Sequence, residues 1–313
     1  MRRAIAVAML VMLAGSARSA AQSPDVVADV RAAIARQDFA GGERIVAGYR
    51  SARGVTPEML EALSWLGRGA LAARQFAAAE RYARDTYDLA TVQLKTRPLD
   101  REPRLPMAFG AAIEVLAHVR AQQGALTEAV AFLQRELDAN RGTSVEKRIQ
   151  KNIHLLSLEG KAAPRLELSD FLGPKPASLG QLEGKVVLLF FWAHWCADCK
   201  AQAPILARVA ARYRNQGLVL VAPTQRFGYV AGGAPAAPDV EKDYIELVRR
   251  TSYPVLADAP IPLSAANHTR YGVSTTPTLV LVDREGIVRL YHPGRIAEQE
   301  LETLVSRTLV PAR

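Results

Sequence analysis

The sequence predicts a multidomain protein in which an all-α region of helical hairpins is followed by an α/β domain. Residues 25–158 are rich in Ala, Leu, Arg, Glu and Gln, and their apolar residues recur at i, i+3 and i+4 as in amphipathic helices. Beyond residue 165, short apolar runs alternate with helical stretches, which is typical of an α/β sheet. A chain of 313 residues is long enough for two such domains behind a targeting segment.

The amino terminus has the pattern of a secretory signal peptide. Met1-Arg2-Arg3 precedes an apolar run over residues 4–14, and the small residues Ser19-Ala20-Ala21 follow. A basic start, an apolar centre and a small-residue cleavage site are the three parts of such a peptide. The apolar run is short for a membrane-spanning helix, although an uncleaved anchor is the alternative. We expect residues 1–21 to be a signal peptide and the mature protein to be periplasmic or secreted.

Composition excludes one class of partner. The chain has 40 basic and 31 acidic residues, a formal charge of +9, and its basic residues are scattered along the sequence. Proteins that bind nucleic acid usually carry a basic stripe interleaved with aromatic residues, and this chain has none. We therefore expect no nucleic-acid partner, and only a mild preference for acidic partners or anionic membrane surfaces.

A weak internal repeat runs through the helical region. Arg36–Glu43 is echoed by Arg74–Glu80 and again by Gln123–Ala129, at irregular intervals. The pattern resembles tetratricopeptide repeats (TPR), whose helix-turn-helix units recur about every 34 residues. We expect residues 22–158 to form a TPR-like helical domain. Its stacked hairpins either present a concave surface to a protein partner or serve only as a spacer or dimerisation domain.

The carboxy-terminal half follows a linker over residues 159–165, where Gly160 and Pro164 succeed the helical pattern. Residues 166–313 form the predicted α/β domain, and Asp283–Gly286 suits the turn of a hairpin. Its predicted strands are Val186–Trp192, Leu218–Ala222, Thr278–Val282 and Ile287–Tyr291. Its predicted helices are Cys199–Asn215, Val240–Thr251, Ala265–Tyr271 and Glu298–Arg307.

The chain's two cysteines, Cys196 and Cys199, are spaced Cys-x-x-Cys directly after the first of these strands. This spacing at the start of a helix favours thiol–disulfide exchange. A purely structural disulfide is a poor alternative, because so short a loop contributes only about 2 kcal/mol. A second alternative is that the two cysteines form half of a zinc site. A structural zinc ion needs four ligands, however, and the chain has no further Cys. Two buried, inert thiols are the third alternative.

The residues around the dithiol resemble a known family. Phe191–Leu206, with two tryptophans, the Cys-x-x-Cys, a following Lys and Ala-Pro-Ile-Leu, resembles the active-site strand and helix of the thioredoxin superfamily. Val273–Thr278 resembles the segment of that family that contains a cis-proline. Together with Ala163–Asp170 and Ser178–Lys185, the motifs are similar to those of exported TlpA/ResA-type thiol–disulfide oxidoreductases. The resemblance covers residues 160–313 and implies a thioredoxin fold.

The resemblance also implies roles for individual residues. Cys196 is the expected exposed nucleophile at the helix start, and Cys199 is the more buried resolving thiol. Trp195 is expected to shield the sulfur, while Thr276 and Pro277 hold the substrate strand. The redox-active Cys196–Cys199 disulfide replaces any other cofactor, and no metal is expected. The implied partners are protein thiols and disulfides, together with an electron donor in the membrane.

Three positions depart from the family pattern. Asp198 stands where Pro is usual before the second cysteine, and its charge opposes the Cys196 thiolate, so we expect a less acidic and more reducing dithiol. Phe190 occupies the position of the buried Asp that thioredoxins are proposed to use to deprotonate the resolving cysteine, so another group or water must serve Cys199. Thr276, where thioredoxins have an apolar residue, resembles isomerase-type members.

Two more residues and one segment are candidates for tuning the site. His194 stands two residues before Cys196 and would lower the thiol pKa as imidazolium, although its position favours an exposed loop residue. Lys200 matches the lysine that follows the dithiol in the family. Residues 224–239 are expected to be a mobile loop. They form either a flap that shapes the substrate site or, as we slightly favour, a solvated insertion.

Three functions fit the sequence. The first is an exported reductase of protein disulfides whose helical domain selects its partners. The second is the same enzyme acting as a thiol oxidase or isomerase, which Thr276 permits and Asp198 opposes. The third is a TPR-type docking protein whose dithiol is a redox sensor or a Cu(I) carrier.

Overall fold

The computed structural model describes residues 25–310, so the expected signal peptide lies outside the described part. Between residues 25 and 158 the chain is almost entirely helical, as its periodicity predicts. The helices are α1 (Val26–Ala35), α2 (Phe39–Arg53), α3 (Pro57–Ala72), α4 (Phe76–Leu94), α5 (Arg104–Gln122), α6 (Leu126–Ala139) and α7 (Glu146–Ser157). No helix of the described part combines the length and the apolar character that crossing a bilayer requires.

The internal repeat corresponds to the turns of three helical hairpins, α1–α2, α3–α4 and α5–α6. Each turn has three residues, and the middle one has a positive φ: 60° at Gln37, 58° at Arg74 and 89° at Gly124. The left-handed conformation reverses the chain in so few residues, and side chains other than Gly tolerate it at some cost. Consecutive hairpins pack on one another, with α3 between the first hairpin and α5, and bury one continuous apolar core.

The carboxy-terminal half is built on a four-stranded sheet in the order β3-β2-β5-β6. Its strands are β2 (Val186–Phe191), β3 (Leu218–Val221), β5 (Thr278–Val282) and β6 (Val288–Pro293). Strand β3 is parallel to β2, while β5 and β6 continue the sheet in antiparallel fashion. A separate pair of two-residue strands, β1 (Phe171–Leu172) and β4 (Ile261–Pro262), is too short to have a recognisable sequence pattern.

Helices and the preceding domain cover the two faces of this sheet. On one face, alternate residues of β2, such as Phe190, pack in an apolar cluster with residues of α8, α9 and α11. On the other face, Phe191 packs with Tyr271 and with Leu158 at the end of the helical half. The helices are α8 (Ala197–Tyr213), α9 (Pro238–Ser252), α10 (Ala265–Arg270) and α11 (Glu298–Leu309). They correspond to the four predicted helices with bounds shifted by up to two residues.

Helix α7 fixes the helical half against the α/β half. His154 Nε2 lies 2.9 Å from the carbonyl oxygen of Arg270. Gly272, at φ 61°, passes so close to α7 that an added Cβ would lie 2.3 Å from the backbone nitrogen of Lys151. The segment expected to be a linker is also attached, since Gly160 donates a backbone hydrogen bond to Val288 at 2.9 Å. The two halves therefore share a tight interface beside α10.

Candidate active site

The two cysteines lie at the start of α8, just beyond the carboxyl end of β2. Cys196 caps the helix, and its Sγ accepts a hydrogen bond from the backbone N–H of Cys199 at 3.0 Å. The two sulfurs form a disulfide, with their Cα atoms 5.2 Å apart. After reduction, the N–H groups and the dipole at this helix end favour a thiolate at Cys196. The chain therefore places a dithiol where thiol–disulfide exchange is promoted.

Both cysteines are buried in the disulfide state. Cys199 is 0% exposed and Cys196 only 3%, whereas Trp195 is 51% exposed. The expectation that Cys196 is exposed is therefore wrong for this state, although Cys196 is the less buried of the two. Tyr253, which sequence patterns did not identify, contributes to this burial: its hydroxyl lies 3.4 Å from the carbonyl oxygen of Cys196. A partner disulfide must approach past the Trp195 side chain.

The Thr276–Pro277 peptide bond is cis, and it immediately precedes β5. Phe191, the last residue of β2, pairs with Thr278 at the start of β5, so the cis-proline and the segment leading to the dithiol lie at the same end of the two central strands. Pro277 is buried and Thr276 is half-buried. Within the described residues, the backbone N–H and C=O of Thr276 form no backbone hydrogen bond. Unpaired backbone groups next to a strand end are suited to hydrogen bonding with an added polypeptide.

His194 is buried rather than an exposed loop residue, so the interpretation favoured by its position is wrong. Its side chain is 2% exposed, and Nε2 lies 3.5 Å from Oε1 of Glu241 on α9. Glu241 is itself 1% exposed and accepts backbone hydrogen bonds from Phe227 and Gly228, the latter at 2.8 Å. Sequence patterns did not identify Glu241, because the two residues are far apart in the chain and join only in the fold.

Aromatic side chains enclose the His194 imidazole. Its centroid lies 5.4 Å from the rings of Phe227 and Tyr229 and 5.3 Å from that of Tyr244, all in edge-on orientation. Phe227 also contacts Trp195, at 5.5 Å between centroids. The first part of the 224–239 segment is therefore packed against the active site, and the favoured interpretation as a solvated insertion is wrong there. The aromatic pair flanking Gly228 was the available signal.

Burial determines the protonation state of His194. Removal from solvent lowers its pKa below the usual value, Glu241 opposes that shift, and Lys200 adds to it. The neutral imidazole is thus the form present at neutral pH. A neutral ring supplies no charge to stabilise the Cys196 thiolate, so His194 acts on the site through packing.

Asp198 and Lys200 are both exposed on the first turn of α8. Lys200 donates its backbone N–H to the carbonyl oxygen of Cys196 at 3.2 Å, which closes the first helical turn. Asp198 is the acidic residue of that turn and lies between the cysteines in sequence. A negative charge therefore lies between the two cysteines in sequence and a positive charge follows them, and solvent screens both charges.

The Asp198→Asn substitution should lower the pKa of the Cys196 thiol by about half a unit, because it removes a negative charge beside the thiolate at a screened site. The reduction potential should rise accordingly, towards a more oxidising dithiol. Titration of the reduced protein by its alkylation rate measures the pKa. Asp239→Asn, which removes an exposed charge from the start of α9, is the matched control. An unchanged or raised pKa in Asp198→Asn would contradict the assignment.

Phe190 is fully buried in the same apolar cluster as both cysteines, so no carboxylate occupies that position. The nearest polar side chain in sequence on this face of α8 is Gln202, one turn beyond Cys199 and also fully buried. Its Oε1 accepts the backbone N–H of Ile296 at 3.0 Å, while Nε2 has no partner within the described residues. Gln202, unlike a carboxylate, does not take up the proton of Cys199, so water or the substrate thiolate must accept it.

The α/β half is similar to known proteins. A family model described as AhpC/TSA matches residues 160–291. The thioredoxin-like protein YneN of Bacillus subtilis (strain 168) is 27% identical over 46% of this chain and 76% of its own length. A crystal structure from Chlorobium tepidum, assigned as the thiol:disulfide interchange protein DsbE, is 26% identical with a TM-score of 0.37, and covers 49% of this chain and 98% of its own.

The match to the thiol-disulfide oxidoreductase ResA of Bacillus subtilis (strain 168) establishes the family of this chain. It is 32% identical over 140 residues, which span 45% of this chain and 70% of the relative. The expected fold class, helical hairpins followed by a thioredoxin-like domain, is confirmed by this match and by the described helices and sheet. The chain belongs to the ResA-type thiol–disulfide oxidoreductases.

Proposed function

We propose that this oxidoreductase works outside the cytoplasm and in the reducing direction, on disulfides of protein partners. The observation that carries the proposal is the dithiol at the start of α8, with the unpaired backbone of Thr276 beside the cis-proline at the same end of the central strands. The negative charge of Asp198 supports the reducing direction. It destabilises the Cys196 thiolate, and with it the reduced form of the dithiol, which therefore gives up its electrons more readily. No other cofactor is needed for the chemistry.

The chemistry takes two exchanges. The Cys196 thiolate attacks one sulfur of the substrate disulfide, which forms a mixed disulfide and releases the other substrate sulfur as a thiolate. Cys199 then loses its proton and attacks Sγ of Cys196, which releases the second substrate thiolate and closes the Cys196–Cys199 disulfide. Two electrons pass from the enzyme dithiol to the substrate, and the released thiolates take up protons from solvent or from Cys199.

The substrate chain pairs with the enzyme backbone at Thr276 and packs on Pro277. A polypeptide added there satisfies the unpaired backbone groups of Thr276, and it brings its own disulfide towards the cysteines at the same end of the central strands. Trp195, the exposed ring beside Cys196, provides the apolar contact surface. Such pairing through the backbone accepts many sequences, so selection of particular partners must come from elsewhere on the molecule.

Export and electron supply complete the proposal. The basic and apolar pattern of residues 1–21 supports secretion, and a reductase in an oxidising compartment must be re-reduced after each cycle. A dithiol donor in the membrane can supply the two electrons by the reverse of the exchanges above. The TPR-like interpretation of the helical hairpins assigns partner selection to that half.

The reduction potential tests the proposed direction. Protein beginning at Gln22 is equilibrated in thiol redox buffers, and the reduced fraction is read as the mass shift after alkylation. We expect a value near that of thioredoxin, about −270 mV, which requires a dedicated electron supply. A value of about −120 mV, typical of a strong oxidant, would overturn the reductase assignment and favour a thiol oxidase.

A further inference from the structure

A cavity of about 590 Å³ lies between the helical half and the segment that leads into the cis-proline. Ser274 and Thr275, both exposed, form one wall. The opposite wall is formed by α3, α5 and α7 and by the connection before α5, all from the helical half. The cavity therefore begins two residues before the cis-proline and borders the helical hairpins.

The cavity has a fixed shape relative to the active site, because the tight interface beside α10 holds its two walls together. Gly272, only two residues before Ser274, lies against the backbone of Lys151, and Lys151 itself lines the cavity. Lys147, on the same helix, reaches the loop after β3, where its Nζ lies 3.3 Å from Oε1 of Gln225.

The helical wall carries three cations, Arg68, Arg148 and Lys151, and three carboxylates, Asp100, Glu102 and Glu114. Arg148 and Lys151 both contact Oε2 of Glu114, at 2.9 and 3.3 Å. Although burial opposes ionisation, these two cations hold the pKa of Glu114 at about 2. Arg68 forms no ion pair within the described residues, and its guanidinium stacks on Trp65 at 4.2 Å. Burial, and then the positive charge of Arg148, lower the pKa of Arg68, while Glu114 opposes that shift.

The remaining charged groups of the lining are already bound by the protein. Asp100 accepts hydrogen bonds from the backbone N–H and the hydroxyl of Ser144, the former at 3.2 Å. Glu102 accepts the backbone N–H of Arg104 at 3.1 Å. Among the three cations of the lining, Arg68 is the one that forms no ion pair or side-chain hydrogen bond within the described residues, and a guanidinium on an aromatic face is well suited to bind a carboxylate.

We propose that this cavity binds the stretch of substrate polypeptide next to the target cysteine, and that Arg68 selects an acidic side chain in it. The inference deepens the proposed reductase function and rests on it. The exposed Met107 side chain, 46% accessible, offers the substrate chain an apolar contact at the rim. Substrate specificity then arises from the helical half, while the enzyme backbone beside the cis-proline binds the backbone of the substrate chain without regard to its sequence.

Single-turnover kinetics of the pre-reduced full chain from Gln22 test the proposal. The probes are cysteine peptides activated as thiopyridyl disulfides, with either Glu or Gln on both sides of the cysteine, and dipyridyl disulfide as a small reference. Each peptide rate is divided by the same protein's rate with the reference. We expect the wild type to prefer the Glu peptide about fivefold, as one partly screened ion pair allows. In Arg68→Ala the preference should fall to about one.

Arg31→Ala is the matched control, because Arg31 also stacks on Trp65, at 4.6 Å, yet does not line the cavity. It changes the net charge equally, so a preference kept in Arg31→Ala excludes long-range attraction as the cause. Equal rates for both peptides with the wild type, or a preference that survives in Arg68→Ala, would overturn the proposal. Failure to reduce dipyridyl disulfide would instead refute the underlying dithiol function, so the two failures are distinguishable.

Discussion

Replacing Cys196 by Ser should reduce the rate of disulfide exchange by more than about a thousandfold, because a hydroxyl at this position is neither ionised at neutral pH nor a comparable nucleophile. Cys196 is the thiol whose sulfur accepts the Cys199 N–H at the helix start, and it is the less buried of the pair. The measurement is the rate of dipyridyl disulfide reduction by the pre-reduced protein. If the protein were instead a redox sensor or a Cu(I) carrier, the wild type would show no catalytic turnover. The Cys196→Ser variant would then still dock its partner.

Cys199→Ser is the matched variant, since it changes the same atom one helical turn away. The first exchange should proceed at a rate similar to that of the wild type, and the mixed disulfide with Cys196 should then accumulate because no thiol resolves it. Mass spectrometry under non-reducing conditions detects this adduct. If Cys196→Ser trapped the substrate and Cys199→Ser did not, the assigned roles of the two cysteines would be reversed.

Local sequence signals were sufficient for most elements of the fold. The hairpin turns were visible as a repeat although Gln37 and Arg74, with left-handed backbone, are not the glycines usually found in such turns. Helix α8 begins at Ala197, two residues earlier than predicted, because Cys196 acts as its cap through a sulfur acceptor. Cysteine is not one of the residues that normally mark a helix start, so the sequence pattern placed the start of the helix too late.

The active-site surroundings were harder to predict because they depend on contacts between distant segments. His194 was correctly chosen as a candidate beside the dithiol, yet its burial comes from Phe227, Tyr229 and Tyr244 on other elements. The loop after β3 has no periodicity, so its packing has no signature in a window of sequence. The wall that Ser274 shares with the helical half is likewise a product of how two domains meet.

Removing the Glu241 side chain should destabilise the protein by about 3 kcal/mol at neutral pH. The Glu241→Ala substitution leaves the backbone N–H groups of Phe227 and Gly228 without their acceptor in a partly buried place, and each charge-assisted hydrogen bond of this kind contributes about 1.5 kcal/mol or more. Glu241→Gln keeps one acceptor oxygen and should lose roughly half as much. Urea unfolding monitored by circular dichroism measures the change.

Asp243→Ala provides the control for Glu241→Ala, since it removes an exposed carboxylate from the same helix. Its effect should stay within about 0.5 kcal/mol, as for most surface substitutions. Equal destabilisation by the two variants would mean that the contacts of Glu241 with the segment from Phe227 do not stabilise the fold.

The cost of losing Glu241 should also grow on acidification. The pKa of His194 is lower in the folded protein than its usual value of 6.5, so the unfolded chain binds a proton first and stability falls as pH drops below about 6.5. Glu241 raises the pKa of His194 and so limits this loss. Without it the folded pKa is lower still, and the difference between wild type and Glu241→Ala should be larger at pH 5 than at pH 7.5, by up to about 1 kcal/mol. A pH-independent difference would show that the carboxylate acts only on the backbone of the loop and not on the imidazole.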